Sequence, residues 1–149
     1  ILLAADSQAS SQLSDISRFR AMDLITPTER EARLALHDSD SGIAHLAESL
    51  REKSMAKNIL ITLGAEGVLI SGLRNGEFHT DRLPAFNEAA KDPAGAGDSM
   101  FTTTALALRA GVNIWESGYL GALASACQVS RIGNTPLSAA ELITEIEAS

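Results

Sequence analysis

The sequence lacks several features that mark particular classes of protein. Its 149 residues include one cysteine, Cys127, so no intrachain disulfide can form and a reducing, cytoplasmic compartment is expected. No apolar run reaches about 18 residues, so we expect no membrane span. Lysine and arginine total 12 against 19 aspartates and glutamates, which gives a formal charge of −7. Because a nucleic-acid groove needs a basic face, a nucleic-acid partner is not expected.

An initiator methionine and a signal-peptide pattern are also missing. The chain opens at Ile1 inside an apolar run, so we expect it to be part of a longer protein. Its length is that of one domain, and 45% hydrophobic with 21% charged residues is typical of a globular fold. His37, His45 and His79 are scattered without metal-ligand spacing, so no histidine metal site is expected.

The apolar pattern predicts alternating strands and helices. Short apolar runs predict strands at residues 1–5, 23–26, 58–63, 68–71 and 77–80. Helical spacing predicts helices at residues 7–20, 29–37, 43–57, 99–110, 115–131 and 138–147. Ser138 and Glu141 have the spacing of a capping box at the last of these. The order predicts a layered α/β domain with a mostly parallel sheet and one added hairpin at Asn75-Gly76.

The stretch from Asp92 to Asp98 joins a polar segment to the helix predicted from Ser99. Gly95 and Gly97 allow the backbone to turn sharply and leave its N–H groups uncovered. A helix start adds unpaired donors and a partial positive charge, and phosphate is the anion most often found at such a site. Asp98 stands beside it, so the stretch predicts a phosphoryl-transfer site.

Other interpretations of this stretch differ in what they require. A Walker loop needs a lysine after its second glycine, and Asp98 stands there, which excludes it. A dinucleotide fingerprint needs a third glycine, where Met100 stands, and an apolar strand directly before, so a dehydrogenase is disfavoured. A purely structural interpretation stays open: Asp98 caps the helix and the glycines turn the chain.

Residues 92–99 resemble the D-T-x-G-A-G-D signature of the PfkB (ribokinase-like) carbohydrate kinases. Three more segments are similar to motifs of that family: residues 24–31 to a strand end with an N-x-x-E motif, residues 59–67 to the strand-turn-strand nucleotide segment, and residues 133–136 to a small-residue loop. They occur in the family's order and cover nearly the whole chain. The resemblance implies an α/β/α ribokinase-like fold and transfer of the γ-phosphoryl group of ATP to a sugar or sugar-phosphate hydroxyl.

The resemblance also implies a role for individual residues. Asp98 would be the catalytic base that accepts the hydroxyl proton. The anion hole would consist of backbone amides, those of Gly95, Ala96 and Gly97. Four residues would line the nucleotide: Thr62, Gly64, Gly67 and Gly133. Glu31 would help to hold Mg²⁺ through water, and Asp92 would lie near a monovalent-cation site for K⁺.

Family members are longer and carry their sugar-binding segments in an amino-terminal half. The resemblance therefore implies that residues 1–149 are the C-terminal, nucleotide-binding part of a ribokinase-like domain. Residues 24–27 and 133–142 look most like heptose-7-phosphate kinases, the sugar-kinase portion of bifunctional ADP-heptose synthases. A homodimer is left open as the assembly.

Three residues depart from the family pattern. Thr28 stands where asparagine is usual, Pro93 replaces a threonine, and Ala122 stands where many relatives carry an asparagine beside the adenine. Together they motivate an alternative function, a nucleotide-binding regulatory or pseudo-kinase module without catalysis.

Overall fold

A computed structural model describes residues 1–6, 15–87, 91–133 and 135–148, which form a mixed five-stranded sheet with helices on both faces. The strands lie in chain order: β1 (Ala4–Ala5), β2 (Leu24–Ile25), β3 (Ile59–Thr62), β4 (Val68–Arg74) and β5 (Glu77–Leu83). Strands β1, β2 and β3 are parallel, whereas β3, β4 and β5 are antiparallel. The predicted α/β class is confirmed. Two of the four strand pairs are parallel and two are antiparallel, because β3 turns straight back into β4.

The five α-helices lie close to their predicted positions. They are α1 (Glu29–Leu36), α2 (Ile43–Ser54), α3 (Ala96–Arg109), α4 (Ile114–Val129) and α5 (Ala139–Ala148). The predicted capping box at α5 is confirmed, since Glu141 accepts from the Ser138 amide at 2.8 Å and the Ser138 hydroxyl accepts from the Glu141 amide at 3.3 Å. No described helix is both long and apolar enough to span a bilayer.

The helix predicted at residues 7–20 lies only partly within the described ranges. Residues 7–14 lie outside the described ranges, so this part of the prediction is not addressed by the structure. In the remainder, Ile16–Arg18 form a single 3-10 turn, and Asp15 begins it by accepting a hydrogen bond from the Ser17 amide at 2.9 Å.

Alternation along the central strand places the two helix layers on opposite faces. Ile59 and Ile61 belong to a buried cluster with residues of α1 and α2, such as Ala32 and Leu46. Leu60, between them, belongs to a second buried cluster with residues of α3 and α4, such as Met100 and Ala122. Successive side chains of a strand point to opposite faces, so the layered arrangement follows directly from the apolar run of β3.

The second layer depends on close contact between α3 and α4. A Cβ added to Gly121 of α4 would lie 2.2 Å from Thr104 Oγ1 and 3.0 Å from the Met100 carbonyl oxygen, both on α3. At Gly118, one turn earlier, a Cβ would meet the Ile70 Cδ1 atom at 2.6 Å, the end of a flexible side chain. Gly121 therefore sets how closely the two helices approach.

We expect Gly121→Ala to destabilise the protein by about 1–3 kcal/mol, because the added methyl meets fixed backbone and forces α3 away from α4. Gly118→Ala is the matched control on the same helix. There the Ile70 side chain can rotate, and the gain in helix propensity of about 0.5–1 kcal/mol offsets part of the cost. Thermal unfolding compares the two; equal melting temperatures would show that the α3–α4 approach is not limiting.

Candidate functional site

Two backbone amides in the first turn of helix α3 have no hydrogen-bond acceptor among the described residues. Its N-cap is Gly95, in the left-handed region at φ 77°, and no side chain caps the helix. The Ala96 amide donates to the Pro93 carbonyl at 3.2 Å, and the Ser99 amide donates to the Gly95 carbonyl at 2.9 Å. Between them, the amides of Gly97 and Asp98 have no acceptor within the described ranges. The helix therefore presents two open donors where its dipole is positive.

This arrangement differs from the sequence expectation in two respects. The helix starts at Ala96 rather than Ser99, so Gly97 and Asp98 belong to its first turn. The Ala96 amide, predicted as an anion donor, is used inside the loop by Pro93. The structural interpretation of Asp98 as the helix cap is wrong, because the cap is Gly95 and Asp98 makes no capping hydrogen bond.

The Asp98 carboxylate is available for chemistry. The residue is exposed, in the first turn of α3, and its side chain has no hydrogen bond or ion pair to the part of the chain that the structure describes. A carboxylate beside unpaired amides can accept a proton from a group held by those amides. Sequence and structure thus agree on a free acidic group at the helix start.

A cleft of about 1110 Å³ opens beside this helix start. Five of the predicted site residues line it, and they are Thr62, Gly64, Gly67, Ala96 and Gly97. The three positions that depart from the family pattern, Thr28, Pro93 and Ala122, line the same cleft. Glu31, Asp92, Gly95, Asp98 and Gly133 are not among its lining residues. The cleft is large enough to hold a nucleotide-sized ligand.

The end of β3 delivers Thr62 and the two glycines to the cleft. The Thr62 amide donates to the Pro27 carbonyl at 3.0 Å, and a 3-10 turn at Gly64–Glu66 follows. Gly67 has φ 96°, and a Cβ there would lie 2.0 Å from the Leu83 carbonyl oxygen. A side chain at Gly67 is thus excluded by the backbone beside it, so this glycine is needed for the turn whether or not a ligand binds.

Glu31 forms a capping box with Thr28 at the start of α1. The Glu31 carboxylate accepts from the Thr28 amide at 2.7 Å and from its hydroxyl at 2.8 Å, and the Glu31 amide donates back to that hydroxyl at 3.2 Å. Glu31 is 1% exposed. The Thr-x-x-Glu spacing is the signature of this box in the sequence, although it was not among the sequence expectations. The structure therefore shows a capping role for Glu31, and its magnesium role stays a prediction.

Asp92 ties the loop before α3 to the loop after α4. Its carboxylate accepts from the Ala94 amide at 2.9 Å and from the Gly133 amide at 3.0 Å. These two backbone hydrogen bonds hold the pKa of Asp92 below its usual range. The Lys91 amide donates to the Val129 carbonyl at 2.8 Å, which ties the same loop to the end of α4. Asp92 and the loop at Gly133 thus come together, and a cation beside them stays a prediction.

Several cleft residues have no counterpart in the sequence expectations. Phe86 lines the cleft, and its ring packs edge-on against Tyr119 with centroids 5.2 Å apart. One face of α1 also lines it, through Arg30, Arg33, Leu34 and His37. The helical spacing of those four residues was visible in the sequence, but nothing in the pattern says which face of α1 meets a cleft.

The described residues hold no group of three or more histidine, cysteine, aspartate or glutamate side chains that could bind a metal. One oxygen of Glu31 is already used in its capping box. Magnesium keeps several waters and binds through few carboxylates together with substrate phosphates. This donor set therefore fits a hydrated Mg²⁺ that enters with a nucleotide, and it does not fit an all-protein cage.

The comparisons with known proteins agree with this geometry. The model of the pfkB family carbohydrate kinases matches residues 1–140. The "Bifunctional protein HldE" of Sulfurimonas denitrificans is 34% identical over 142 residues, which are 91% of this chain and 28% of that protein. The protein of the same name from Pelobacter propionicus is 27% identical over 137 residues, 89% of this chain and 27% of that protein.

The fold is similar to that of solved sugar kinases. Ribokinase from Thermotoga maritima superposes with a TM-score of 0.80 at 26% identity, over 98% of this chain and 49% of that one. The chain thus spans about a quarter of the length of the curated relatives it matches and about half of that ribokinase. Since the family model matches nearly the whole chain, the chain belongs to the pfkB family of carbohydrate kinases.

Proposed function

We propose that this chain binds ATP in the cleft beside α3 and takes part in phosphorylation of a sugar or sugar-phosphate hydroxyl. The observation that carries the proposal is the pair of unpaired amides at Gly97 and Asp98 next to a free carboxylate and a cleft of about 1110 Å³. Unbonded amides at a helix start beside a cleft are a site for an anion, and a nucleotide supplies one.

In the proposed reaction the acceptor hydroxyl loses its proton to Asp98 while its oxygen attacks the γ-phosphorus. The new oxygen–phosphorus bond forms as the bond from the γ-phosphorus to the β-phosphate oxygen breaks, and ADP leaves. Negative charge is spread over the phosphoryl oxygens during transfer, so the amides of Gly97 and Asp98 act mainly by electrostatic stabilisation and alignment. Mg²⁺ bound to the phosphates would neutralise part of that charge.

We propose positions for the two cations from the neighbouring residues. Glu31 would contact Mg²⁺ through water, using the carboxylate oxygen that the capping box leaves free. K⁺ would lie near Asp92, whose depressed pKa keeps the carboxylate charged, and near the loop at Gly133. In both cases the carboxylate would orient the other ligands of the ion, and the protein would not enclose the ion.

The acceptor in this proposal is heptose 7-phosphate. The support is the similarity of residues 24–27 and 133–142 to heptose-7-phosphate kinases, together with the HldE relatives. We also propose that the 149 residues are the nucleotide-binding part of a longer domain, so that the acceptor site depends on residues outside them. The share of the relatives' length that the chain spans supports this.

A regulatory or pseudo-kinase module is the second candidate. The observation that favours it is that Thr28, Pro93 and Ala122 all line the cleft, so each departure changes the surface that a nucleotide would touch. Such a module would bind ATP without turnover. Calorimetry with ATP, followed by a phosphorylation assay on the intact protein with a panel of sugars, separates the two functions.

We expect Asp98→Asn in the intact protein to lower kcat by roughly 10²- to 10⁴-fold, because the substitution removes the proton acceptor. The backbone amides are unchanged, so ATP affinity should stay within about twofold, as measured by calorimetry. Asp81→Asn is the matched control, since Asp81 is exposed on β5 and does not line the cleft. Full turnover by Asp98→Asn would remove Asp98 from the proposed role.

A second comparison separates the two roles of Glu31. Thr28→Ala removes the hydroxyl of the capping box and should cost about 1 kcal/mol of stability. Glu31→Gln keeps an oxygen acceptor for the same box but removes the negative charge that favours a helix start and that is proposed to act on hydrated Mg²⁺. We therefore expect both variants to melt earlier, and only Glu31→Gln to need more Mg²⁺ for half-maximal activity. The magnesium role is contradicted if the two variants show the same Mg²⁺ dependence.

A further inference from the structure

Arg30 carries a positive charge at a position where the helix itself disfavours one. It is the second residue of α1, after the Thr28 cap and Glu29. Unpaired amides give the start of a helix a partial positive charge, so cations are unfavourable there and acidic residues favourable. Glu29 and Glu31, on either side, follow that rule. Arg30 breaks it, so its presence calls for a compensating interaction.

No such interaction is found within the described protein. Arg33, one turn further along α1, donates to the Glu29 carboxylate at 2.8 Å and to the Ser41 carbonyl at 3.1 Å. The Arg30 guanidinium has neither a carboxylate nor a carbonyl partner in the described part of the chain. The other carboxylate of the α1 wall, Asp38, lies beyond the far end of the helix and accepts from the Ser41 amide at 3.0 Å. Arg30 is therefore exposed and unpaired.

Arg30 lies on the wall of the cleft, so its positive charge can interact with a bound ligand. It lines the cleft that also contains Gly97, whose amide is open. A guanidinium and an open amide on the walls of one cleft form a site for an anion with several oxygens.

The Thr28 hydroxyl, on the same wall of the cleft as Arg30, is already used in a capping box. Thr28 also lines the cleft, but its hydroxyl donates to Glu31 at 2.8 Å and accepts the Glu31 amide at 3.2 Å. The hydroxyl is thus committed to the start of α1 and is not free to bind a ligand. Two residues on, Arg30 supplies a donor group that the capping box does not use.

We infer that Arg30 binds the terminal phosphates of the nucleotide from the α1 wall of the cleft that Gly97 of α3 also lines. The inference rests on the proposed function and adds a residue that recognises the β- and γ-phosphates. Its guanidinium donates hydrogen bonds to phosphate oxygens and opposes their charge. The cation in the first turn of α1 lowers the stability of the protein without ligand, and ligand binding offsets this loss.

The test compares nucleotides that differ in phosphate number on the intact protein. We expect Arg30→Gln to weaken ATP binding by about 10- to 100-fold in calorimetry, with a smaller loss for ADP and AMP affinity unchanged. Arg30→Lys, which keeps the charge, should recover part of the ATP affinity. KM for ATP should rise in parallel, while KM for the sugar stays the same.

Stability provides an independent readout with the opposite sign. Arg30→Gln removes an unfavourable cation from the first turn, so its melting temperature without ligand should equal or exceed that of the unmodified protein. Arg109→Gln is the matched control, since Arg109 is in the last turn of α3 and outside the cleft. It changes the net charge equally and should leave ATP affinity unaltered.

Each other outcome counts against the inference. Equal losses of ATP and AMP affinity would place Arg30 at the base or ribose instead. A change in KM for the sugar alone would place it at a phosphate of the acceptor. Unaltered ATP binding by Arg30→Gln, with turnover still lost in Asp98→Asn, overturns the inference and leaves the proposed function standing. If the unmodified protein does not bind ATP, the proposed function itself fails.

Discussion

The candidate site depends on two exposed backbone amides in the first turn of α3 that the described protein leaves without an acceptor. A helix normally satisfies its first donors through a capping side chain or water. At α3 the cap is a glycine without a side chain, and the next amide is already used by Pro93. What remains at Gly97 and Asp98 is a site whose natural complement is an anion.

Much of the surrounding architecture serves to hold those amides still. Asp92 connects the loop before α3 to Gly133, and the Val129 carbonyl accepts the Lys91 amide, so two hydrogen bonds join the start of α3 to the end of α4. Gly121 lets α4 approach α3 closely, which positions the start of α3 against the cleft. On the other side, the β3 turn needs Gly67 because the Leu83 carbonyl occupies the space a side chain would take. The site is thus built on rigid elements, which a positioned phosphate requires.

The start of α1 shows how stability and binding compete at one helix end. The capping box of Thr28 and Glu31 uses the Thr28 hydroxyl and one oxygen of the Glu31 carboxylate, so neither of these two groups is left for a ligand. Arg30 lies between them and works against the helix dipole while facing the cleft. A local rule broken beside a cleft indicates that the residue acts on something outside the helix. The two ends, α1 and α3, therefore face one ligand space with different chemistry: a charged side chain on one wall and bare backbone on the other.

The amino-acid sequence by itself determined most of the element order, the layers and the stretch of uncovered backbone at the start of α3. The continuous apolar run of β3 presents apolar side chains to both faces of the sheet, so helices cover both faces. Glycine at positions 95 and 97 indicates exposed backbone whatever the rest of the chain does. The antiparallel turn from β3 into β4 and the commitment of the Ala96 amide to Pro93 were decided only in three dimensions. So were the face of α1 that meets the cleft and the burial of Glu31. The physical reason is that local patterns describe what a segment can present, whereas hydrogen-bond partners and cleft walls come from segments far apart in the chain. Only tertiary packing determines which of the donors at a helix start face a cleft, and the amide of Gly97 is one that does.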